Sequence, residues 1–406
     1  MPIYWIWFAE LADLSLLQKH RLLEHFHDPE EVYHASPEAL QALHLTDKQL
    51  QSLQQKDLAP AAQIVSCCRR KGIGVLPLCD NAYPKRLANT ADTPIVLYYN
   101  GILPDWDERP FVGIVGTRKA SGYGLQVAHQ MGSQIAAGGG MIVSGGAFGA
   151  DTAAMQGALD AGKPCVGVLG CGVDVMYPPS NRRLFARVVE DGCLISEYPP
   201  GTRPKPWHFP QRNRIISGIS DGVLVAEAPE KSGALITARL ALEQGRDVFT
   251  VPGNINTASC AGSNQLLQEG ALAVFSGWDV LKEYAPCYPE TVKMPAKPPV
   301  ISERNTDLKV AESTAVPERI QNNPENSQKK PIDNQRNSTY SVLNNKQPAL
   351  TQDEQAVLAL LTRHPQEPAD IIARTELPSG RVLSLLTVLT VKGLVLKHPG
   401  GRVSLK

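Results

Sequence analysis

A chain of 406 residues with 43% hydrophobic and 20% charged residues describes a globular protein with a real core, long enough for two or three domains. Lys plus Arg and Asp plus Glu number 40 each, so the whole molecule has no strong field of either sign. Binding of a polyanion therefore has to come from local placement of basic groups, and a histone-like mechanism is excluded. The eight cysteines contain no C-x-x-C spacing, and several lie inside apolar runs such as Pro164-Cys165-Val166. That is how reduced, buried thiols behave, and it points to a cytoplasmic protein without structural zinc.

The chain opens Met1-Pro-Ile-Tyr-Trp-Ile-Trp-Phe, apolar but without a basic leader and soon followed by Glu10 and Asp13. Neither a signal peptide nor a membrane span is expected there. Residues 4–70 carry helical periodicity, with Leu11, Leu14, Leu17, Leu22, Leu23 and Phe26 fitting one buried face. Asp28-Pro29 opens another helix and Ser36-Pro37-Glu38 a third. A helical module of sterile-alpha-motif or helix-hairpin-helix type is expected over 1–70.

Over 71–285 the pattern becomes apolar runs, each ending in Gly, Ser or Pro and followed by a helical segment. The runs are Phe111–Val115, Met141–Val143, Cys165–Leu169, Cys193–Ile195, Val223–Val225, Val248–Val251 and Ala271–Phe275. Continuous apolar runs mean strands buried on both faces, and helices between them mean right-handed crossovers. This predicts an α/β class fold, a doubly wound and mostly parallel sheet, with Ile73–Leu78 and Ile95–Tyr99 as extensions at one edge.

Ligands of such sheets bind at the carboxyl ends of the strands, where the next helix offers free amides. The loops there read Gly116-Thr117-Arg118-Lys119, Ser144-Gly145-Gly146-Ala147-Phe148-Gly149-Ala150-Asp151, Gly170-Cys171-Gly172, and Glu227 followed by Lys231-Ser232-Gly233-Ala234-Leu235-Ile236-Thr237. Gly lets the backbone approach an anion, and Ser or Thr adds hydroxyl donors. In the same ring of loops lies Lys205-Pro-Trp-His-Phe-Pro-Gln-Arg-Asn-Arg. Guanidinium forks beside planar rings suit a chain of phosphates that carries stackable bases. No G-x-G-x-x-G follows the first strand, no G-x-x-x-x-G-K-[ST] occurs, and no nucleophile is paired with a base, so dehydrogenase, energy-coupled NTPase and hydrolase-elbow chemistry are unsupported.

Residues 286–350 are rich in Pro, Asn, Gln, Ser and Lys and poor in aromatics, which predicts a disordered linker. From 351 the chain is compact again. Thr351-Gln-Asp-Glu354 is a capping box, Pro368–Arg374 and a helix holding Leu383, Leu386 and Leu389 follow, and Gly393–Lys397 with Gly401–Leu405 reads as a hairpin. Three helices and a hairpin make a winged helix-turn-helix over 351–406. Its seven Lys or Arg against five Asp or Glu leave duplex binding and protein interaction equally open.

The set Val115-Gly116-Thr117-Arg118, Ser144-Gly145, Gly157-Ala158-Leu159, Tyr177-Pro178, Ser196-Glu197, Phe209-Pro210 before Arg212-Asn213-Arg214, Ser232-Gly233-Ala234-Leu235-Ile236-Thr237 and Val251-Pro252-Gly253 resembles the DNA-processing protein A (DprA/Smf) family. The resemblance implies a Rossmann-like binder of single-stranded DNA that loads the RecA recombinase onto DNA imported during natural transformation. It also implies homodimers and no catalysis, and no cofactor is expected. Carried onto this chain, it sets DNA against Arg118, the Ser144-Gly145 turn, Arg212, Asn213, Arg214, Ser232, Gly233 and Thr237, with Phe209 meeting a base and Lys205 nearby. Three positions depart from the family pattern: Phe148 occupies a slot where Arg is frequent, Met155 one where His is common, and Pro179 one where some relatives have Lys. Phe148 in that slot either stacks or is buried. The enzyme alternative is a LOG-like nucleotide phosphoribohydrolase; its motif needs an acid just after Thr237, whereas the nearest here is Glu243.

Overall fold

The computed structural model describes residues 2–43, 45–293, 352–362, 366–375, 377, 382, 385, 386, 388–390, 394–397 and 403–405. They fall into two compact units, one within the first 309 residues and one beyond them.

The first unit opens with helices α1 (Pro2–Glu10), α2 (Leu16–Phe26), α3 (Pro29–His34), α4 (Pro37–Gln41), α5 (Asp47–Gln54) and α6 (Ala59–Lys71). Their starts are chemically marked. Ser15 and Thr46 form capping boxes with Gln18 and Gln49, while Asp28 and Ser36 cap α3 and α4 ahead of Pro29 and Pro37. The apolar beginning is core, with Trp5, Ile6, Trp7 and Phe8 all buried in α1. Leu11, Leu14 and Leu22 are buried as expected, but Leu17 is 55% exposed. Five residues separate Leu17 from Leu22 on α2, so the two point about 140° apart around the helix.

There follow β1 (Gly74–Pro77), α7 (Lys85–Ala88), β2 (Val96–Gly101), β3 (Phe111–Val115), α8 (Gly122–Ala137), β4 (Met141–Ser144), α9 (Ala150–Asp160), β5 (Cys165–Val168), α10 (Arg182–Asp191), β6 (Cys193–Ser196), α11 (His208–Ile219), β7 (Gly222–Val225), α12 (Gly233–Glu243), β8 (Asp247–Thr250), α13 (Ala261–Gln268), β9 (Leu272–Ala273) and α14 (Gly277–Tyr284). The strands form one sheet in the order β1-β2-β6-β5-β4-β3-β7-β8-β9. Every pairing from β6 to β9 is parallel, and the two edge strands β2 and β1 are antiparallel. This is the doubly wound, mostly parallel sheet that the apolar runs predict. Along β3, Val112 and Ile114 join a core shared with α1–α6 and α8–α10, while Phe111 and Val115 join the core beneath α11 and α12. Alternate residues thus fill opposite layers, which is why the run is apolar throughout.

Residues 286–293, expected at the head of the linker, instead pack on this domain. Val292 is buried, Lys293 N donates to Gly138 O at 3.1 Å, and the Tyr288 hydroxyl meets Arg86 and Asp221. Tyr288 and Val292 supply apolar surface that a composition average over 286–350 hides. The rest of the expected linker, 294–350, lies outside the described residues.

The second unit holds α15 (Gln352–Leu360), α16 (Pro368–Ile372), helical residues at 382, 385, 386 and 388–390, and an antiparallel pair, β10 (Val395–Lys397) and β11 (Val403–Leu405). Val357, Leu361, Ile371, Val382, Leu385, Leu386, Leu389, Val395 and Val403 form its core. Helices followed by a two-stranded wing are the expected winged helix; Leu383 and the turn at Pro399-Gly400 lie outside the described residues. Among the described residues no helix is long and apolar enough to cross a membrane.

Candidate functional site

Strand order turns at β3: β4, β5 and β6 lie on one side, β7, β8 and β9 on the other. Helices that leave such a point in opposite directions open a crevice at the carboxyl ends of the strands. Here it is a cleft of about 710 Å³, walled by residues 115–118 after β3, Ala147 and Asp151 after β4, Tyr177, Lys205 with the first turns of α11, and residues 229–237 spanning the loop after β7 and the start of α12.

The loop after β3 is braced from below. Thr117 N donates to Glu227 O at 2.8 Å, Thr117 O accepts from Ala150 N at 3.3 Å, and Ser121 N donates to the buried Glu227 carboxylate at 2.8 Å. With its backbone so occupied, the loop leaves Arg118 exposed, its guanidinium 5.1 Å from the centroid of the Phe209 ring. Gly149 closes against it with φ +80°, and a Cβ there would stand 2.4 Å from Thr117 O, so only glycine fits.

Arg212 forms the floor. It is 3% exposed, and its Nη1 donates to Gly145 O at 2.6 Å and to Val168 O. A Cβ on Gly145 would lie 2.4 Å from that guanidinium, which explains the glycine. Burial lowers the Arg212 pKa to about 10, with Asp151 opposing, so the group is cationic at neutral pH. Asp151 lines the same floor and accepts from Ala147 N at 3.4 Å; burial raises its carboxyl to about 6 against the pull of Arg212 and Arg118.

Of the residues singled out from sequence, Arg118, Lys205, Phe209, Arg212, Asn213, Ser232, Gly233 and Thr237 all line this cleft. Three do not. Ser144 is fully buried and its hydroxyl donates to Ile114 O at 2.6 Å, so it is engaged within the sheet. Gly145 lies in an adjoining recess. Arg214, 7% exposed, pairs with Glu197 at 2.5 Å and Asp92 at 3.4 Å. The stretch reads as a loop by its prolines and rings, but residues 208–219 are helical, and a spacing of two turns Arg214 about 200° from Arg212. Met155 is buried core.

Lys231, Asp151 and Tyr177 also line the cleft; the sequence reading placed them in rim loops or a motif but not among the DNA contacts. Lys231 was legible in principle, since it directly precedes the Ser232 N-cap of α12 at a strand's carboxyl end. Tyr177 follows the Gly170-Cys171-Gly172 loop and belongs to the Tyr177-Pro178 motif, but nothing local marked its ring as part of the cleft wall.

The cleft thus sets four cations, Arg118, Lys205, Arg212 and Lys231, against one carboxylate, Asp151. The exposed three have no ion pair among the described residues. The amino terminus of α12, from Ser232 to Ala234, lines the same space, where the positive end of the helix dipole favours an anion. Phe209, Tyr177 and the Trp207 ring under Lys205 add flat apolar faces. The arrangement is chemically suited to phosphates and to ring stacking. Glu243 is the last residue of α12, about 15 Å along the axis from its start, and is not among the lining residues.

Residues 74–285 match the family model described as DNA recombination-mediator protein A, and residues 343–401 match the DprA winged helix domain. The chain is similar to the DNA processing protein DprA of Streptococcus pneumoniae, 44% identical over 211 residues, which cover 51% of this chain and 73% of that protein. It is also similar to DprA of Bacillus subtilis, 40% identical over 221 residues, 54% of this chain and 74% of that one. The X-ray structure of DNA processing protein A from Streptococcus pneumoniae superposes with a TM-score of 0.61 at 36% identity, covering 69% of this chain and 97% of that one.

Proposed function

Since the chain belongs to the DNA recombination-mediator protein A family, we propose that it binds single-stranded DNA in the cleft without turning it over and hands the strand to a RecA-type recombinase. The observation that carries the first step is the excess of four cations over one carboxylate beside Phe209 and Tyr177. Cations neutralise phosphates whatever the sequence, whereas rings can stack only on bases that are not already paired. The combination therefore favours a single strand over a duplex. The recombinase as partner, action on imported DNA in the cytoplasm and assembly into homodimers are drawn from the family resemblance. The winged helix would then act as a second module, toward duplex or protein.

The test is an anisotropy titration of the full chain with single- and double-stranded oligonucleotides at two salt concentrations. Tighter single-strand binding that weakens steeply with salt is expected. Equal affinity for both forms, or binding indifferent to salt, removes the reading. One observation favours a hydrolase as a second reading: Asp151 places a buried carboxyl in the cleft lining, and burial pushes it up to about 6, toward the range of a general acid. Release of free base from nucleoside monophosphates by the pure protein is the measurement that would establish it.

A further inference from the structure

The cleft is short for a polymer: about 710 Å³ lies within the ~300–1,000 Å³ of small-molecule sites, so a strand longer than a few nucleotides must leave it. One exit is built of rings. Phe209 and Tyr177 stand with centroids 5.6 Å apart and planes 37° from parallel. Phe148, Tyr177 and Phe209 share a narrow adjoining recess with Arg118, and Phe148 is 50% exposed to water. A lone exposed ring on a surface means little, but three in sequence at the mouth of a cationic cleft are continuous with it.

The loop that carries Phe148 is braced by hydrogen bonds. Gly146 O accepts from Asn181 Nδ2 at 3.0 Å, Ala147 O accepts from the Thr152 hydroxyl at 2.6 Å, and Ala147 N donates to Asp151. A ring presented from a braced loop loses little freedom on binding. The Asn181 bond also brings the start of α10 to this loop, and α10 begins with the exposed Arg182 and Arg183. Cations at a helix amino terminus oppose its dipole, a placement that an anion lying there would relieve.

We propose that Phe148 and Tyr177 form a base-stacking track that receives a single strand as it leaves the cleft, with Arg182 and Arg183 alongside for its phosphates. The proposal rests on the single-strand reading above. Aromatic stacking at Phe148 takes the place of the charge that the loop lacks, so this end of the site grips bases more than backbone.

The test compares a labelled oligothymidylate long enough to overrun the cleft with an abasic strand of the same length. Phe148→Ala is expected to weaken oligothymidylate binding about tenfold, to leave the abasic strand unaffected and to leave the salt slope unchanged. Phe148→Trp should restore wild-type affinity. Unchanged oligothymidylate binding by Phe148→Ala overturns the track, and so does an equal loss for both strands, which would mean a structural or phosphate-contacting role. If the wild-type chain binds neither strand, the single-strand reading itself falls and takes the track with it.

Discussion

The two ends of the central sheet differ in whether they leave cations unpaired. At the amino ends of β3 and β7, Arg86 Nε pairs with Asp221 at 2.8 Å, its other nitrogens donate to Trp106 O and the Tyr288 hydroxyl, and Arg246 Nη2 donates to Arg86 O at 2.9 Å and Gly218 O at 3.2 Å. Asp221 in turn accepts from Phe111 N at 2.8 Å. At the carboxyl ends, Arg118, Lys205 and Lys231 stand exposed with no ion pair among the described residues. A cation whose partner is built into the fold stabilises the fold; one without a partner is free to meet an anion from outside. Residue type alone does not separate the two roles, but the company each side chain keeps does.

The largest expected effect comes from breaking the paired end. Asp221→Ala strands a mostly buried guanidinium, and a loss of about 3 kcal/mol in unfolding free energy is expected by denaturant titration. Oligonucleotide affinity of the folded fraction should be unchanged. A matching fall in affinity would mean that the two ends do not act separately. The converse change, Arg118→Glu, should leave the unfolding midpoint in place and lower single-strand affinity on the order of a hundredfold at moderate salt, read by anisotropy. Wild-type affinity in that variant would count against the cleft as the binding site.

A smaller effect belongs to Asp151, the one residue that mixes the two roles. Its carboxyl titrates at about 6, above the ordinary 3.8, so the protonated form is favoured in the folded state. The stability that this contributes is present below the unfolded value and is lost as pH rises through about 6. Asp151→Asn should therefore gain stability relative to wild type as pH rises from about 4 to 7, on the order of 2 kcal/mol at the top of that range. Single-strand affinity of the wild type should rise on the order of tenfold as pH falls through this window, because the one negative charge on the floor disappears. The Asn variant should show a flat profile, and a pH dependence equal to that of wild type would exclude Asp151 as its source.

How much could be read from the chain follows from where each signal resides. Phe111–Val115 and its fellow runs announced strands because burial on both faces demands apolar residues at every position, a local property. The neighbours of those strands, and the antiparallel edge made by β2 against β6, depend on contacts between Tyr98 and Ser196 that no local pattern encodes. In the cleft, the glycines and Arg118 were legible as loop chemistry after a strand. Arg214 was misread because its partners, Glu197 and Asp92, come from distant segments, and because the prolines around Phe209 mask a helix. Ser144 was misread for a different reason: a hydroxyl at a strand end is an equally good donor to the neighbouring strand.

The alternation on α11 has a consequence for how this chain can vary. Arg212 reaches Gly145 and Val168 from one side of the helix while Arg214 reaches Glu197 and Asp92 from the other. A single inserted or deleted residue ahead of them would rotate both by about 100° at once, withdrawing the floor of the cleft and the internal clamp together. The helix works like a key cut on two edges: point substitutions can alter either edge alone, but changes of length spoil both.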